Sequence, residues 1–406
     1  MDFSWTEDQE LFRQTVREFA QKKIAPIVRE MDTKGEIPRD VIKGMAELGL
    51  LAITVPEEYG GAGADFVTAA IAAEELARAD ISIAIPVYYL VEASWAHVFA
   101  KYGKEEAKEE ILPKVTSGEL FFGIATTEPA GGSDIVGATR TTIKKQGDKW
   151  VINGEKVYIS GVRESELYGG VYITLAKNDP SKGHKGMTFA IVPIKDTPGI
   201  ETTLFEDMGR MGVSTGGFSM DNVEIPDSYI VGEVGKGFYY AMEGFSKARV
   251  LIGATCLGAA DAGLKLGIDY IKQRKLFGRP IGAFEGIQFP LAEDYTMLEA
   301  DRLLTYKAAW LMDKMEAGEA SPFEVALATA MAKLRAPLDA LKILNDVADW
   351  HGAYGYTKEC PIEMGVRGVR SYSIGAEGAP NIMRIIIARE ILGKEYLPYR
   401  QPPQQV

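Results

Sequence analysis

A carboxylate set among glycine, alanine and proline is the residue in this chain whose surroundings could tune it for chemistry. Glu377 lies in Ser373-Ile374-Gly375-Ala376-Glu377-Gly378-Ala379-Pro380-Asn381-Ile382-Met383-Arg384. Small neighbours let a ligand approach the backbone, and an apolar surround raises a carboxylate's pKa by desolvation. That rise brings a base nearer its working pH. The competing reading is an exposed Glu in a turn before the last helix, and composition taken alone favours it. A second segment, Ala125-Thr126-Thr127-Glu128-Pro129-Ala130-Gly131-Gly132-Ser133-Asp134, can offer hydroxyl and backbone donors to a phosphate or a polar ring edge. It can equally be a plain turn. A third, Gln273-Arg274-Lys275-Leu276-Phe277-Gly278-Arg279, sets basic residues around an apolar pair at a helix end. It could bind phosphate or merely complement the helix C-terminal dipole.

Other chemistries find less support. The histidines His97, His184 and His351 are scattered, which disfavours a metal cluster or a histidine-based triad. His97 falls within a helical pattern and reads as a packing residue. No G-x-G-x-x-G follows a strand, and Gly232–Gly237 has the wrong spacing for a P-loop. The two cysteines, Cys256 and Cys360, stand in no metal or redox spacing. With 57 acidic and 45 basic residues the net charge is −12, which argues against non-specific nucleic-acid binding. No uninterrupted apolar run reaches about 18 residues, so no membrane span is expected. The N-terminus lacks a signal-peptide pattern, and a reducing, cytoplasmic location is the expectation.

These segments need elements to position them. At 406 residues the chain is long for one domain and suggests two or three. Thr6 to Gln9 fits a capping box, and Leu11, Phe12, Val16, Phe19 and Ile24 recur at helical spacing. Further helices are expected near 39–49, 66–80, 83–102 and 104–113, with a break over 51–65. From about 118 the pattern shortens to strands. Thr141–Lys145 and Lys149–Ile152 flank Gly147-Asp148, and Asn153-Gly154 predicts a hairpin between Val151-Ile152 and Val157–Ile159. Val171–Ala176, Met187–Pro193 and Gly217–Ile225 read as further strands. Helical periodicity returns over 235–273, 283–316, 322–351 and 379–394. The tail Pro398–Val406 reads as loose. The boundaries fall at 1–117, 118–232 and 233–397, an α–β–α order in a mostly helical α+β chain.

Taken in order, the three segments resemble the acyl-CoA dehydrogenase family over almost the whole chain. Thr127-Glu128-Pro129 with Gly132-Ser133-Asp134 is similar to its T-E-P-x-x-G-S-D signature. Arg274 to Gly278 with Gln288-Phe289 is similar to R-x-x-F-G…Q-F, and Glu377-Gly378 with Ile382 and Arg384 to E-G-T-x-x-I-x-R. The resemblance implies an N-terminal helical domain, a middle β-barrel, a C-terminal four-helix bundle, FAD and a homotetramer. It implies that Glu377 removes the α proton of an acyl-CoA thioester while the β hydrogen leaves as hydride to flavin N5, with an electron-transfer flavoprotein as acceptor. Its own backbone N–H would help stabilise the thioester oxygen. By the same resemblance Thr127 and nearby backbone would hydrogen-bond the flavin ring, and Ser133 would contact the pyrophosphate. Tyr158 would pack on the flavin, Ser160 would lie near its N5, and Ala125, Gly132 and Ala379 would also bind the cofactor. Arg274, Phe277, Gln288, Gly352 and Gly355 would hold the FAD of a neighbouring subunit. Ser133, Tyr89, Glu92, Ala93, Phe245, Arg249, Gly378 and Arg384 would meet the substrate.

Departures from the family pattern bear on the acyl group. Ala379 replaces a threonine, Tyr158 a tryptophan, and Ser160 a threonine. Some relatives place the base beside Arg249, but Ala248 stands there, which favours Glu377. Tyr88, Tyr89 and Trp95 are bulky and disfavour a long straight chain. The arginine of decarboxylating relatives near Ile85 is absent. A short, branched, aromatic-substituted or alicyclic acyl group is the expectation. Glu92 could be a second acid–base group, as in relatives that oxidise alicyclic acyl-CoAs, or simply a paired structural Glu. The alternatives are an acyl-CoA reductase or a monooxygenase on the same fold, and a non-catalytic helical protein.

Overall fold

The computed structural model describes residues 4–397, so the Pro398–Val406 tail lies outside the described residues. The N-terminal helices are α1 (Glu7–Phe19), α2 (Val28–Lys34), α3 (Arg39–Glu47), α4 (Phe66–Ala79), α5 (Ala84–Tyr102) and α6 (Glu105–Thr116). The Thr6 capping box forms as expected: Thr6 Oγ1 accepts from Gln9 N at 3.1 Å and Gln9 Oε1 accepts from Thr6 N at 3.2 Å. Helix α5 is apolar on nearly every face and buried from Ala84 to Ala96. A helix of that composition must be surrounded. It packs on α4 and α9 on one side and on the first strand of the sheet on the other, so it joins the helical body to the β domain.

The middle region comprises β1 (Phe121–Ala125), a short α7 (Ile135–Ala138), β2 (Thr142–Gln146), β3 (Lys149–Ser160), α8 (Val162–Tyr168), β4 (Gly170–Lys177), β5 (Met187–Pro193), β6 (Ile200–Phe205), β7 (Thr215–Pro226) and β8 (Ile230–Val231). The strand order is β6-β7-β3-β2-β4-β5-β8, with β1 parallel to β4. The expected barrel is not closed. Edge strand β6 pairs only with β7, and the two-residue β8 only with β5, among the described residues. Strand β8 is too short to reach across, because the chain turns at Gly232 toward the next helix. Strands β2 and β4 share the single pair Thr142–Lys177, so the sheet splays there instead of curling shut.

The Asn153-Gly154 hairpin is also corrected. Strand β3 runs unbroken through both residues and pairs with β7 along its length, with register shifts at Ile152/Gly154 and Val157/Ile159. The pair marks a β-bulge, the other structure that a glycine in a strand can signal. At Gly154, φ is +150° and a side chain would strike Thr141. The actual two-residue turn is Gly147-Asp148, between paired Gln146 and Lys149.

The C-terminal part contains α9 (Gly237–Gln273), the small hairpin β9 (Lys275–Leu276) and β10 (Arg279–Pro280), α10 (Glu285–Glu316), α11 (Pro322–Trp350), α12 (Ile362–Ile374) and α13 (Pro380–Leu392). Helix α12 falls between two of the predicted helices and packs on α11 and α9. Helix α9 is the axis of the molecule and packs on α4, α5, α10, α11 and α12. It is long and apolar enough to cross a membrane, but most of its apolar stretch is buried inside this bundle. His97 is a packing residue here: its Nδ1 lies 3.2 Å from Thr54 O, and burial pushes its pKa down to about 4.

One buried ion pair fixes the loop after β1. Lys156 is fully buried on β3, and its ammonium donates to Glu128 Oε1 at 2.7 Å, Leu175 O at 2.7 Å and Thr126 O at 3.3 Å. Burial pushes Lys156 down to about 8. Burial also opposes ionisation of Glu128, but the Lys156 charge and the hydrogen bonds it accepts outweigh that and hold it below the usual range. Both groups are therefore charged at pH 7. Removing one partner of such a pair strands the other charge. Lys156→Met is expected to lower stability by about 3–5 kcal/mol, read from urea unfolding midpoints. Lys149→Ala, at the exposed Lys149–Glu224 pair, is expected to change it by less than about 1 kcal/mol.

Candidate active site

Glu377 sits in the loop between α12, which ends at Ile374, and α13, which starts at Pro380. Ala379 is the N-cap of α13 and Pro380 occupies its first turn, where the missing N–H costs nothing. Gly378 has φ +100°, and a β-carbon there would press on the Met383 methyl at 2.8 Å. Gly378 is thus demanded by the turn that presents Glu377.

Three helices close round the loop. From α9, Arg249 Nε donates to the main-chain oxygen of Glu377 at 3.0 Å. From α11, buried Lys333 donates to main-chain oxygens of the same loop. From α5, Trp95 lies with its ring 5.3 Å from Phe245 and 6.2 Å from Phe189. A side chain at Gly244 of α9 would strike the Trp95 ring at 2.3 Å, so α5 and α9 meet closely at this level. Burial pushes the Glu377 carboxyl up to about 7, against the opposing pull of Arg249, the Trp95 indole and Lys333. The indole nitrogen is buried and has no partner at hydrogen-bonding geometry, yet it is close enough to that carboxyl to work against the rise. Burial also pulls Arg249 down to about 10. A carboxyl raised toward neutrality is suited to general acid–base work.

A second group of residues forms the neighbouring face on the sheet. The Lys156–Glu128 pair anchors the loop beneath, and Val157 N donates to Thr127 O at 3.0 Å. Tyr158 follows with φ +60° and is 72% exposed, with one ring neighbour, Phe205, at 5.5 Å. Ser160 Oγ accepts from Arg210 Nη1 at 3.1 Å, and Arg210 Nη2 donates to Thr215 Oγ1 at 2.6 Å. Thr126 Oγ1 is buried without a partner among the described residues. Gly132 crosses the Thr127 side chain closely, and Ser133 is exposed at the rim. An uncovered aromatic ring beside a fixed loop of hydroxyl and backbone donors fits an isoalloxazine, which is apolar on its faces and polar along its edge. Buried Ala125 ends β1 just before this loop.

Arg274, Phe277, Gln288, Gly352 and Gly355 collect elsewhere. Arg274 caps α9, 25 residues beyond Arg249 and so about 37 Å along the helix. Phe277 is 93% exposed, and Gln288 Nε2 donates to Gly282 O at 3.0 Å. Gly352 and Gly355 lie in the turn after α11, next to His351, whose ring stacks on Tyr270 of α9 at 4.1 Å. This group does not meet Glu377 within one chain.

Several expected substrate residues sit apart from Glu377. Tyr89 is in the core, its hydroxyl donating to Ala69 O at 2.9 Å. Glu92 is fully buried facing β1, where Oε1 accepts from Phe122 N at 3.4 Å, and burial raises its pKa well above the usual range. Ala93 is buried, and its carbonyl accepts from Thr54. Arg384 is exposed and donates to Asn381 Oδ1 at 2.8 Å. Phe245 and Arg249 do meet the Glu377 loop region, the guanidinium 5.9 Å from the Phe245 ring centre. Lys333, Trp95 as a neighbour of Glu377, Arg210 and Lys156 carried no motif. The available signal for Lys333 was a lysine in phase with the apolar stripe of Thr329, Ala336 and Ala340 on one helix.

Comparison with known proteins identifies the fold and the family. The acyl-CoA dehydrogenase N-terminal, middle and C-terminal domains match residues 6–119, 123–223 and 235–392. A 3-(aryl)acrylate reductase of Clostridium sporogenes is 39% identical, the match covering 96% of this chain and 99% of the relative. An acyl-CoA dehydrogenase of Bacillus subtilis is 38% identical over the same shares. The structure of a glutaryl-coenzyme A dehydrogenase glutaryl-CoA complex superposes with a TM-score of 0.89 at 33% identity, covering 97% of each chain. The three consecutive domain matches and the conserved architecture place this chain in the FAD-dependent acyl-CoA dehydrogenase family.

Proposed function

We propose that the enzyme moves two hydrogens across the α–β carbon bond of an acyl-CoA thioester, with Glu377 handling the α proton. The observation that carries this is a carboxyl raised to about 7 whose loop is held through its main chain, leaving the acidic group unpaired. In the oxidative direction Glu377 takes the proton from Cα and the hydride leaves Cβ, forming the C=C bond. Bound FAD supplies the hydride acceptor, with Thr127, Tyr158 and Ser160 proposed to hold its ring system and Gly132 and Ser133 its phosphates. The chain's own contributions are the proton transfer, the exclusion of water by Trp95 and Phe245, and a backbone N–H at Glu377 that can donate to the thioester oxygen.

The acyl group is proposed to be short, branched, aromatic-substituted or alicyclic. Of the three bulky residues on α5 that suggested a short pocket, Tyr89 is committed to the core and Trp95 alone borders Glu377. A reductive direction is the second reading, favoured by the similarity to a reductase of aryl acrylates. A carboxyl titrating near neutrality can serve either direction, as base or as acid. Arg274, Phe277, Gln288, Gly352 and Gly355 are proposed to complete the cofactor site of another copy of this chain, and an electron-transfer flavoprotein is the proposed acceptor. The exposed Phe289, Tyr295, Leu303 and Trp310 of α10 suit such self-association, and sedimentation is expected to give a species larger than a monomer.

The base assignment is tested by Glu377→Gln. The variant is expected to keep its yellow flavin and to lose anaerobic bleaching by about 10³-fold, measured with butyryl-, isobutyryl-, 3-phenylpropionyl- and cyclohexanecarboxyl-CoA. Bleaching at the wild-type rate would remove Glu377 from the mechanism. The pH dependence has a definite sign. Dehydrogenation needs the carboxylate, so kcat/KM should fall as pH drops through about 7. Hydrogenation needs the acid and should fall as pH rises through the same value.

A further inference from the structure

We infer that Lys333 is a positioning residue for Glu377, holding the loop by main-chain oxygens on both sides of it and keeping a positive charge beside that loop. This rests on the base assignment above. Lys333 lies on α11 and is 1% exposed. Its ammonium donates to Gly375 O at 2.7 Å, Gly378 O at 2.8 Å and Tyr372 O at 2.9 Å. An ammonium has three N–H donors, and here each has a carbonyl. Two of those carbonyls bracket Glu377 in the sequence, and the third is on the last turn of α12. One side chain therefore ties the end of one helix to both sides of the loop that carries the base.

Burial of such a cation costs several kcal/mol unless its hydrogen bonds are satisfied, and no carboxylate pairs with Lys333 among the described residues. The three carbonyls need donors, and a neutral donor could serve some of them. What the ammonium adds is a fixed positive charge behind Glu377. The groups facing the carboxyl are Trp95 from α5, Arg249 from α9, Lys333 from α11 and Tyr372 from α12, while Arg389 of α13 faces Arg249 and Arg210 faces Tyr372. Lys333 itself is faced by Cys256 and Arg249 of α9 and by Glu377. Burial pushes Lys333 down to about 8, so it still carries its charge at neutral pH. Both cations bind backbone oxygens and leave the carboxylate unbridged. They restrain its rise in pKa without locking it in a salt bridge.

The test uses flavin-loaded wild type, Lys333→Gln and Lys333→Arg, with flavin content and thermal unfolding checked for each. The rate of flavin bleaching is followed against pH with whichever of the four thioesters above reacts fastest. Lys333→Gln keeps hydrogen-bonding capacity but loses the charge, and its acidic limb should move to higher pH by about one unit. Lys333→Arg keeps the charge, but its planar fork cannot meet three carbonyls converging on one point. Its limb should stay in place while kcat falls. A folded, flavin-bearing Lys333→Gln enzyme with an unmoved limb overturns the inference. If that variant does not fold, the arginine variant decides: a limb displaced there refutes it and a limb in place supports it. A wild type with no limb near neutrality removes the base assignment instead, and this inference with it.

Discussion

A carboxyl group becomes a stronger base toward carbon when water is withdrawn from it and no cation bonds it directly. Those demands conflict in a protein, because buried carboxylates are normally stabilised by ion pairs. Here the conflict is resolved by where the cations bind. Arg249 and Lys333 hold main-chain oxygens of residues 375–378, and the Glu377 carboxyl is left free. The cations hold the loop through its backbone, and the carboxyl proposed as the base lies outside those bonds.

The rest of the molecule can be understood as the scaffold for that arrangement. Helix α9 brings Arg249 to the loop, α11 brings Lys333, and α5 brings Trp95 while also carrying the sheet on its other side. The open sheet serves the same end. Its buried Lys156–Glu128 pair fixes the loop at Thr127 beneath the exposed Tyr158, so the face that suits a flavin ring is set from inside the β domain. The two buried lysines thus play parallel parts, each tying a functional loop by its carbonyls or its own carboxylate.

The three consecutive domain matches and the fold superposition agree on the family. They leave the acyl group open, and the placement of the α5 side chains shows why residue types alone pointed to it ambiguously. Tyr88, Tyr89 and Glu92 are adjacent to Trp95 in sequence and share its helix. At about 100° per residue Tyr89 lies about 120° round the helix from Trp95 and faces α4, while Glu92 is on nearly the same side as Trp95 but one turn earlier, where it meets β1 and not Glu377.

Periodicity in the sequence determined the α–β–α order, the long helices and most strands, because apolar spacing reports directly on which face is buried. It also singled out Glu377, through the small residues around it. The sheet's failure to close, the bulge at Asn153-Gly154 and helix α12 were decided by tertiary pairing. A glycine in a strand is compatible with a turn or a bulge until its neighbour, Thr141, is known. The partners of Glu377 were likewise beyond the sequence. Trp95, Arg249 and Lys333 come from segments up to 282 residues before Glu377, and nothing in local composition records that three helices bring them to one loop.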